Sequence, residues 1–174
     1  IALSEKGTHE TGKGKNEKTG KMEEGYGNIT KYGEWYGMNG VPWCAEFVSW
    51  CADQAGILGN IIPRYAGCRW EGVAWYMAHG RYAPREGYTP HEGDVIFYMR
   101  LNKDGEPEWH TGIVVAYDPK TKTVYTVEGN SGNAVNIRQH KLNDPYIQGY
   151  GVNGGTDNGV IPSSTSSGAG ASTR

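Results

Sequence analysis

This 174-residue sequence is poor in aliphatic bulk: Leu, Ile, Val and Phe together supply 27 residues, with only four Leu and two Phe. A shortage of that size usually accompanies disorder. Disorder by that route also requires a large net charge, and 17 basic against 19 acidic residues leave −2. The same balance lacks the basic excess of a nucleic-acid footprint, so no nucleic-acid partner is expected. No run of about 18 apolar residues occurs, which excludes a transmembrane helix. Neither C-x-x-C nor H-x-x-x-H is found, so a zinc site or a metal-dependent hydrolase would lack its ligand spacing. The first residue is Ile1, not Met, and no signal-peptide pattern follows, which reads as a processed or excised piece of something longer.

Aromatic residues and glycine are plentiful instead. Twelve Tyr and six Trp bury large areas while keeping a polar handle, so a core is still available to a chain of one-domain length. Gly, at 27 residues, is about twice as frequent as usual and has no three-residue period, which implies many turns and excludes collagen. Residues 1–9 favour a short helix. The six Lys and five Glu of residues 1–31 nearly cancel, and residues 11–31 read as a long solvated surface loop. Pro42-Trp43-Cys44 opens the clearest helix, in which Trp43, Cys44, Phe47, Val48, Cys51, Ala52 and Ala55 recur at helical spacing before Gly56. A second helix is predicted over 69–79, with Trp70, Val73, Ala74 and Met77 on one face. After Gly80 the period becomes two, and segments 94–99, 111–117, 123–127, 134–139 and 146–150 read as strands. Helices followed by an antiparallel meander define an α+β domain over 1–152, and the Gly/Ser/Thr-rich residues 153–174 read as a flexible tail or linker.

Three cysteines make an odd set, so at least one thiol stays free or pairs outside the chain. Cys44 falls in the first turn of its helix, where open N–H groups and the helix dipole favour a thiolate; its bland alternative is one more small residue on a core stripe. Among five histidines, His9 and His140 stand in polar, exposed-looking contexts, His79 ends a helix and His91 sits in a turn. His110 alone opens an apolar strand, HTGIVVAY, although such a histidine is often structural. Glu128-Gly129-Asn130 follows the next strand. Residues two apart on extended backbone share a face, so Glu128 and Asn130 are expected to aim at His110 if the two strands pair, with a carboxylate or amide on its Nδ1. Taken singly, Glu128 is a polar residue at a hairpin end.

The stretches TKYGEWYGMNGVPWCAEFVSWCADQAGI, HEGDVIFYM, HTGIVVAY and TVYTVEGNSGNAVNIRQHKL, in this order, resemble the CHAP family, the cysteine, histidine-dependent amidohydrolase/peptidases of the papain-like group of cell-wall hydrolases. The resemblance spans roughly residues 1–152 and implies a papain-like fold, N-terminal helices on a five- to six-stranded antiparallel sheet. It implies Cys44 as nucleophile, His110 as base, and Glu128 and Asn130 as the orienting polar pair. Gly93-Asp94 matches the family's turn into its first sheet strand. Some members bind calcium through an Asp-rich loop ahead of the nucleophile; here the first Asp is Asp53, so no metal or other cofactor is expected. Cys51 and Cys68 are left either as a disulfide or as a reduced buried pair.

The implied chemistry is hydrolysis of an amide bond in bacterial peptidoglycan through a thiolate. The bond is either that of an N-acetylmuramoyl-L-alanine amidase or that of a stem or cross-bridge endopeptidase. The backbone N–H of Cys44 and a second donor, Tyr36 or Asn39, would hold the oxyanion. Tyr36, Trp43 and Trp109, with Trp35, either line a substrate groove or pack helix against sheet. A monomer is expected, acting outside the cell or at the wall, with a fused or separate wall-binding module as a partner. A catalytically inactive wall-binding module of the same fold is the rival reading.

Overall fold

The period-two segments after Gly80 pair into one antiparallel sheet in a computed structural model of the chain, which describes residues 1–162. Its strands are β3 (Tyr82–Pro84), β4 (Val95–Leu101), β5 (Pro107–Asp118), β6 (Thr123–Glu128), β7 (Asn136–Lys141) and β8 (Ile147–Gly151), in the order β3-β8-β4-β5-β6-β7. β4 to β7 form the expected meander, and β8 returns to the free edge of β4. The β5–β6 turn closes locally: the Asp118 carboxylate accepts from Lys120 N and Thr121 Oγ1, and Lys122 takes the left-handed conformation. Alternation divides the sheet between two clusters. Val95, Phe97, Ile113, Val115, Val127 and Ile137 face the main core, whereas Ile96, Tyr98, Val114, Val124, Ile147 and Tyr150 form a smaller one.

The helical layer is α1 (Lys31–Tyr36), α2 (Cys44–Gln54) and α3 (Ala74–Ala78). α2 buries Phe47, Val48, Cys51 and Ala52 as its spacing predicts. Rings do much of the filling: Tyr32, Trp43, Phe47, Tyr65 and Tyr76 are fully buried, with Tyr32 stacked on Trp43 and edge-on to Phe47. The predicted second helix differs in register. Cys68–Val73 closes a π-helical turn before α3, and the buried residues are Cys68, Gly72, Val73 and Tyr76, with Trp70, Ala74 and Met77 exposed. The wider i→i+5 turn rotates the face that a 3.6 period assigns.

Residues 11–31 also differ from the expected loop. They form a hairpin of β1 (Thr11–Lys15) and β2 (Met22–Ile29). A Cβ on Gly14 would lie 1.6 Å from the Tyr26 carbonyl oxygen, so glycine allows the ribbon to coil this tightly. Buried Glu10 ties the hairpin to the body, accepting from Asn28 N and from Trp43 Nε1. At the other end, Asn153, Asp157 and Asn158 are bound to residues 91–94, with Asn153 N donating to Asp94 and Glu92 N to Asp157. These first residues of the predicted flexible tail therefore pack on the domain, and 163–174 lie outside the described residues. Among the described residues no helix is long and apolar enough to cross a membrane.

Candidate active site

Cys44 is the first residue of α2, and the preceding Trp43 offers no side-chain cap, so the N–H groups of the first turn remain available to an anion. Two contacts fix where this turn stands. A Cβ on Gly129 would lie 2.6 Å from Phe47 Cβ, so glycine lets the end of β6 close on the start of α2. Farther along α2, Ser49 Oγ donates to the Tyr65 carbonyl and accepts from Tyr65 N, and the Tyr65 hydroxyl shares a hydrogen bond with Thr111 of β5.

The strand register brings the other groups together. Tyr98 faces His110 across β4–β5, and Ile113 faces Val127 across β5–β6, which puts His110 and Glu128 on one face. Between them Gly112 is open: a Cβ there would lie 2.7 Å from Glu128 Cγ. Glu128 thus lies across the strand and accepts from His110 Nε2 at 2.8 Å on Oε2. Its Oε1 accepts from Thr126 Oγ1 at 2.7 Å, His140 Nε2 at 2.9 Å and Tyr98 Oη at 3.0 Å. The second nitrogen of His140 lies 3.5 Å from Asp144. Asp144, His140, Glu128 and His110 form one chain of alternating carboxylate and imidazole.

The expected partner of Nδ1 is instead on Nε2. Nδ1 is buried with no other polar partner, which leaves this ring nitrogen to the Cys44 thiol. The alternation expected to carry Asn130 to the ring ends with β6 at Glu128. Asn130 is buried in a left-handed turn (φ 53°) just past the end of that strand. Trp43 is not a groove residue, because it is fully buried and its indole N–H is spent on Glu10. Tyr36 is half-buried beneath the Arg64 guanidinium, 3.9 Å from its ring centre. Asn39 accepts from Thr30 N through Oδ1. Trp109 is half-buried and lines a cavity of about 70 Å³ with His110, Glu128 and His140.

All three cysteines are free and buried, and the pair in contact differs from the one expected: Cys68 Sγ lies 3.9 Å from Cys44 Sγ. Hydrogen bonding from the Cys68 thiol draws the Cys44 pKa well below its ordinary 9.0; burial opposes this, and the charge of His110 and the Thr111 backbone assist it. The same contact, with burial, pushes Cys68 well above its ordinary value. Burial alone would lower His110, but the Cys44 thiolate and then Glu128 outweigh it and hold its pKa at about 10. Burial likewise opposes the charge on Glu128, which His110 and His140 nevertheless keep well below the carboxylate range. Glu46, one turn into α2, is fully buried with neither oxygen hydrogen-bonded, and burial followed by the Cys44 charge pushes it up to about 7.

A low-pKa thiol, an imidazole and a buried carboxylate in this relation can perform acyl transfer, with the imidazole moving the proton. The CHAP domain family matches residues 35–130, more than half of the sequence, and the chain belongs to that family. Membership assigns it broadly to the peptidoglycan hydrolases. No curated protein and no solved structure gives a significant match. His140, Cys68 and Glu46 are the residues near the site that sequence reasoning passed over.

Proposed function

We propose that this chain hydrolyses an amide bond of bacterial peptidoglycan with Cys44 as the nucleophile, on a papain-like arrangement of helix and sheet. The observation that carries the reading is the His110–Glu128 hydrogen bond of 2.8 Å, which spends Nε2 and leaves Nδ1 for the thiol. In that tautomer Nδ1 accepts the Cys44 proton, and the imidazolium formed is stabilised by the buried carboxylate. The thiolate attacks the scissile carbonyl, and the Cys44 backbone N–H at the uncapped helix start faces the developing oxyanion. The His110 imidazolium protonates the leaving amine, after which the neutral ring activates the water that releases the acyl-enzyme. The enzyme works at the cell wall or outside the cell, with a wall-binding module in the same or another chain.

Digestion of purified peptidoglycan followed by mass spectrometry of the fragments tests this. Wild type is expected to release new termini, and Cys44→Ala to release none while giving an unchanged circular dichroism spectrum. A free alanine amino terminus paired with an intact muramic acid lactyl group identifies an amidase. Termini within the stem or bridge identify an endopeptidase. Turnover by Cys44→Ala at the wild-type rate would overturn the assignment of the nucleophile.

A further inference from the structure

Trp70 is 80% exposed, the most exposed large hydrophobic side chain among the described residues, and so much bare indole calls for an explanation. The fold holds it there. The π-helical turn directs Cys68, Gly72 and Val73 inward and leaves Arg69, Trp70 and Glu71 outside. The Glu71 carboxylate then pins the turn by accepting from Ala66 N at 2.8 Å and Gly67 N at 3.0 Å. Across from Trp70 stands Trp109 of β5, and the Arg69 guanidinium lies over both rings, 4.7 Å and 5.3 Å from their centres. These three side chains border a groove of about 400 Å³, the size of a small-ligand site. Cys68 also lines it, with its sulfur 3.9 Å from that of Cys44. The groove therefore ends one side chain from the proposed nucleophile.

Arg69 has no carboxylate partner among the described residues. Glu71 is committed to backbone, and Glu108 faces Arg100. A guanidinium over two indoles is weakly hydrated and always charged, and its N–H fork matches a carboxylate. Resting on the proposed activity at Cys44, we infer that Arg69, Trp70 and Trp109 form a subsite for the peptide side of the substrate. Arg69 takes a free carboxylate of the stem peptide, and the indoles cover its apolar flank. Stems whose carboxylates are amidated bind there poorly, so the subsite selects substrate by charge.

The test uses two soluble muropeptides that differ only in whether the stem carboxylates are free or amidated. Each is titrated calorimetrically into the Cys44→Ala protein, so that binding is read without turnover. The free-carboxylate form is expected to bind at least tenfold more tightly, the usual scale of a charge-assisted hydrogen bond. Arg69→Gln in the same background should bring its affinity down to that of the amidated form, and Arg69→Lys should restore only part of the difference. Trp70→Ala should weaken both ligands by a similar factor. Both side chains are exposed, so these variants leave the core intact. Equal affinity for the two muropeptides, or a preference that survives Arg69→Gln, would overturn the subsite. Turnover of the same pair by the wild-type protein is a separate measurement that bears on the hydrolase reading.

Discussion

Glu46 places an ionisable group where ionisation is costly, and Glu46→Gln turns that into a measurable change in stability. Its carboxyl is fully buried without a hydrogen bond, and its pKa moves from an ordinary 4.5 to about 7. Between those two values the folded chain retains a proton that the unfolded chain has released, so stability falls as pH rises. Above pH 7 the penalty is constant at about 3 kcal/mol, taking roughly 1.4 kcal/mol per pKa unit. The amide is nearly isosteric and never ionises, so Glu46→Gln escapes the penalty. At pH 4.5 the two proteins should unfold at nearly the same urea concentration. At pH 8, with a slope of about 2 kcal/mol/M, the midpoint of the variant should be higher by about 1.5 M. Ionised Glu46 also opposes the Cys44 thiolate, so an inflection near pH 7 in the alkylation rate of Cys44 should vanish with it. Stability curves for the two proteins that stay parallel from pH 4.5 to 8 would refute the reasoning, because they would mean that the carboxyl is hydrated in the fold.

Three further outcomes are expected. Cys68→Ala should move the pH midpoint of iodoacetamide labelling at Cys44 upward, and Cys68→Ser, which keeps a donor at the same place, should restore much of it; identical midpoints in all three proteins would remove Cys68 from the account. His140 is held at about pKa 9, against burial, by Asp144 and Glu128. Its charged form therefore stabilises the fold fully below pH 6.5, and this is lost as pH rises through 9; the deficit of His140→Gln in urea should be roughly 3 kcal/mol at pH 6 and small at pH 9.5. Gly129→Ala drives a methyl to 2.6 Å from Phe47 Cβ and 2.9 Å from the Trp43 ring, which should cost about 1–3 kcal/mol and a few degrees of melting temperature. A melting temperature equal to wild type would mean that β6 and α2 are less closely packed than these distances say.

Where alternation and burial coincide, the sequence was easy to read. Segments such as DVIFYM and TGIVVAY place alternate residues in two apolar clusters, so five strands are legible from the pattern. β3 is three residues long and leaves too little pattern to detect. The β1–β2 ribbon has no buried face, and hydrogen bonds of Asn16, Thr19 and Glu23 close its turn, so hydropathy carries no trace of it. The π-helical turn was legible as a helix but not in phase, because its period differs from the one assumed. The α+β class thus followed from local pattern, while the exceptions arise where backbone geometry sets the structure without an apolar stripe to announce it.

The candidate site divides along the same line. Cys44 starts α2, His110 opens the apolar run of β5 although the strand itself begins at Pro107, and Glu128 ends the strand that pairs with β5, so one-dimensional pattern brings the three into consideration. Which nitrogen Glu128 meets depends on Gly112 leaving the carboxylate room to lie across β5, a fact about space that no spacing rule contains. His140 sits among Arg138, Gln139 and Lys141, a run that reads as a solvated edge. Yet β6–β7 register sets Glu128 opposite Asn136 and Val124 opposite His140, so Glu128 and His140 share a face. Once the hairpin register is fixed, that parity brings a second imidazole to the carboxylate. A buried Glu128 facing only His110 would have one cation to offset its desolvation, whereas the fold supplies two, together with the hydroxyls of Tyr98 and Thr126. The carboxylate that orients the proposed base therefore stays ionised because of a residue on the neighbouring strand, one that polarity alone assigns to solvent.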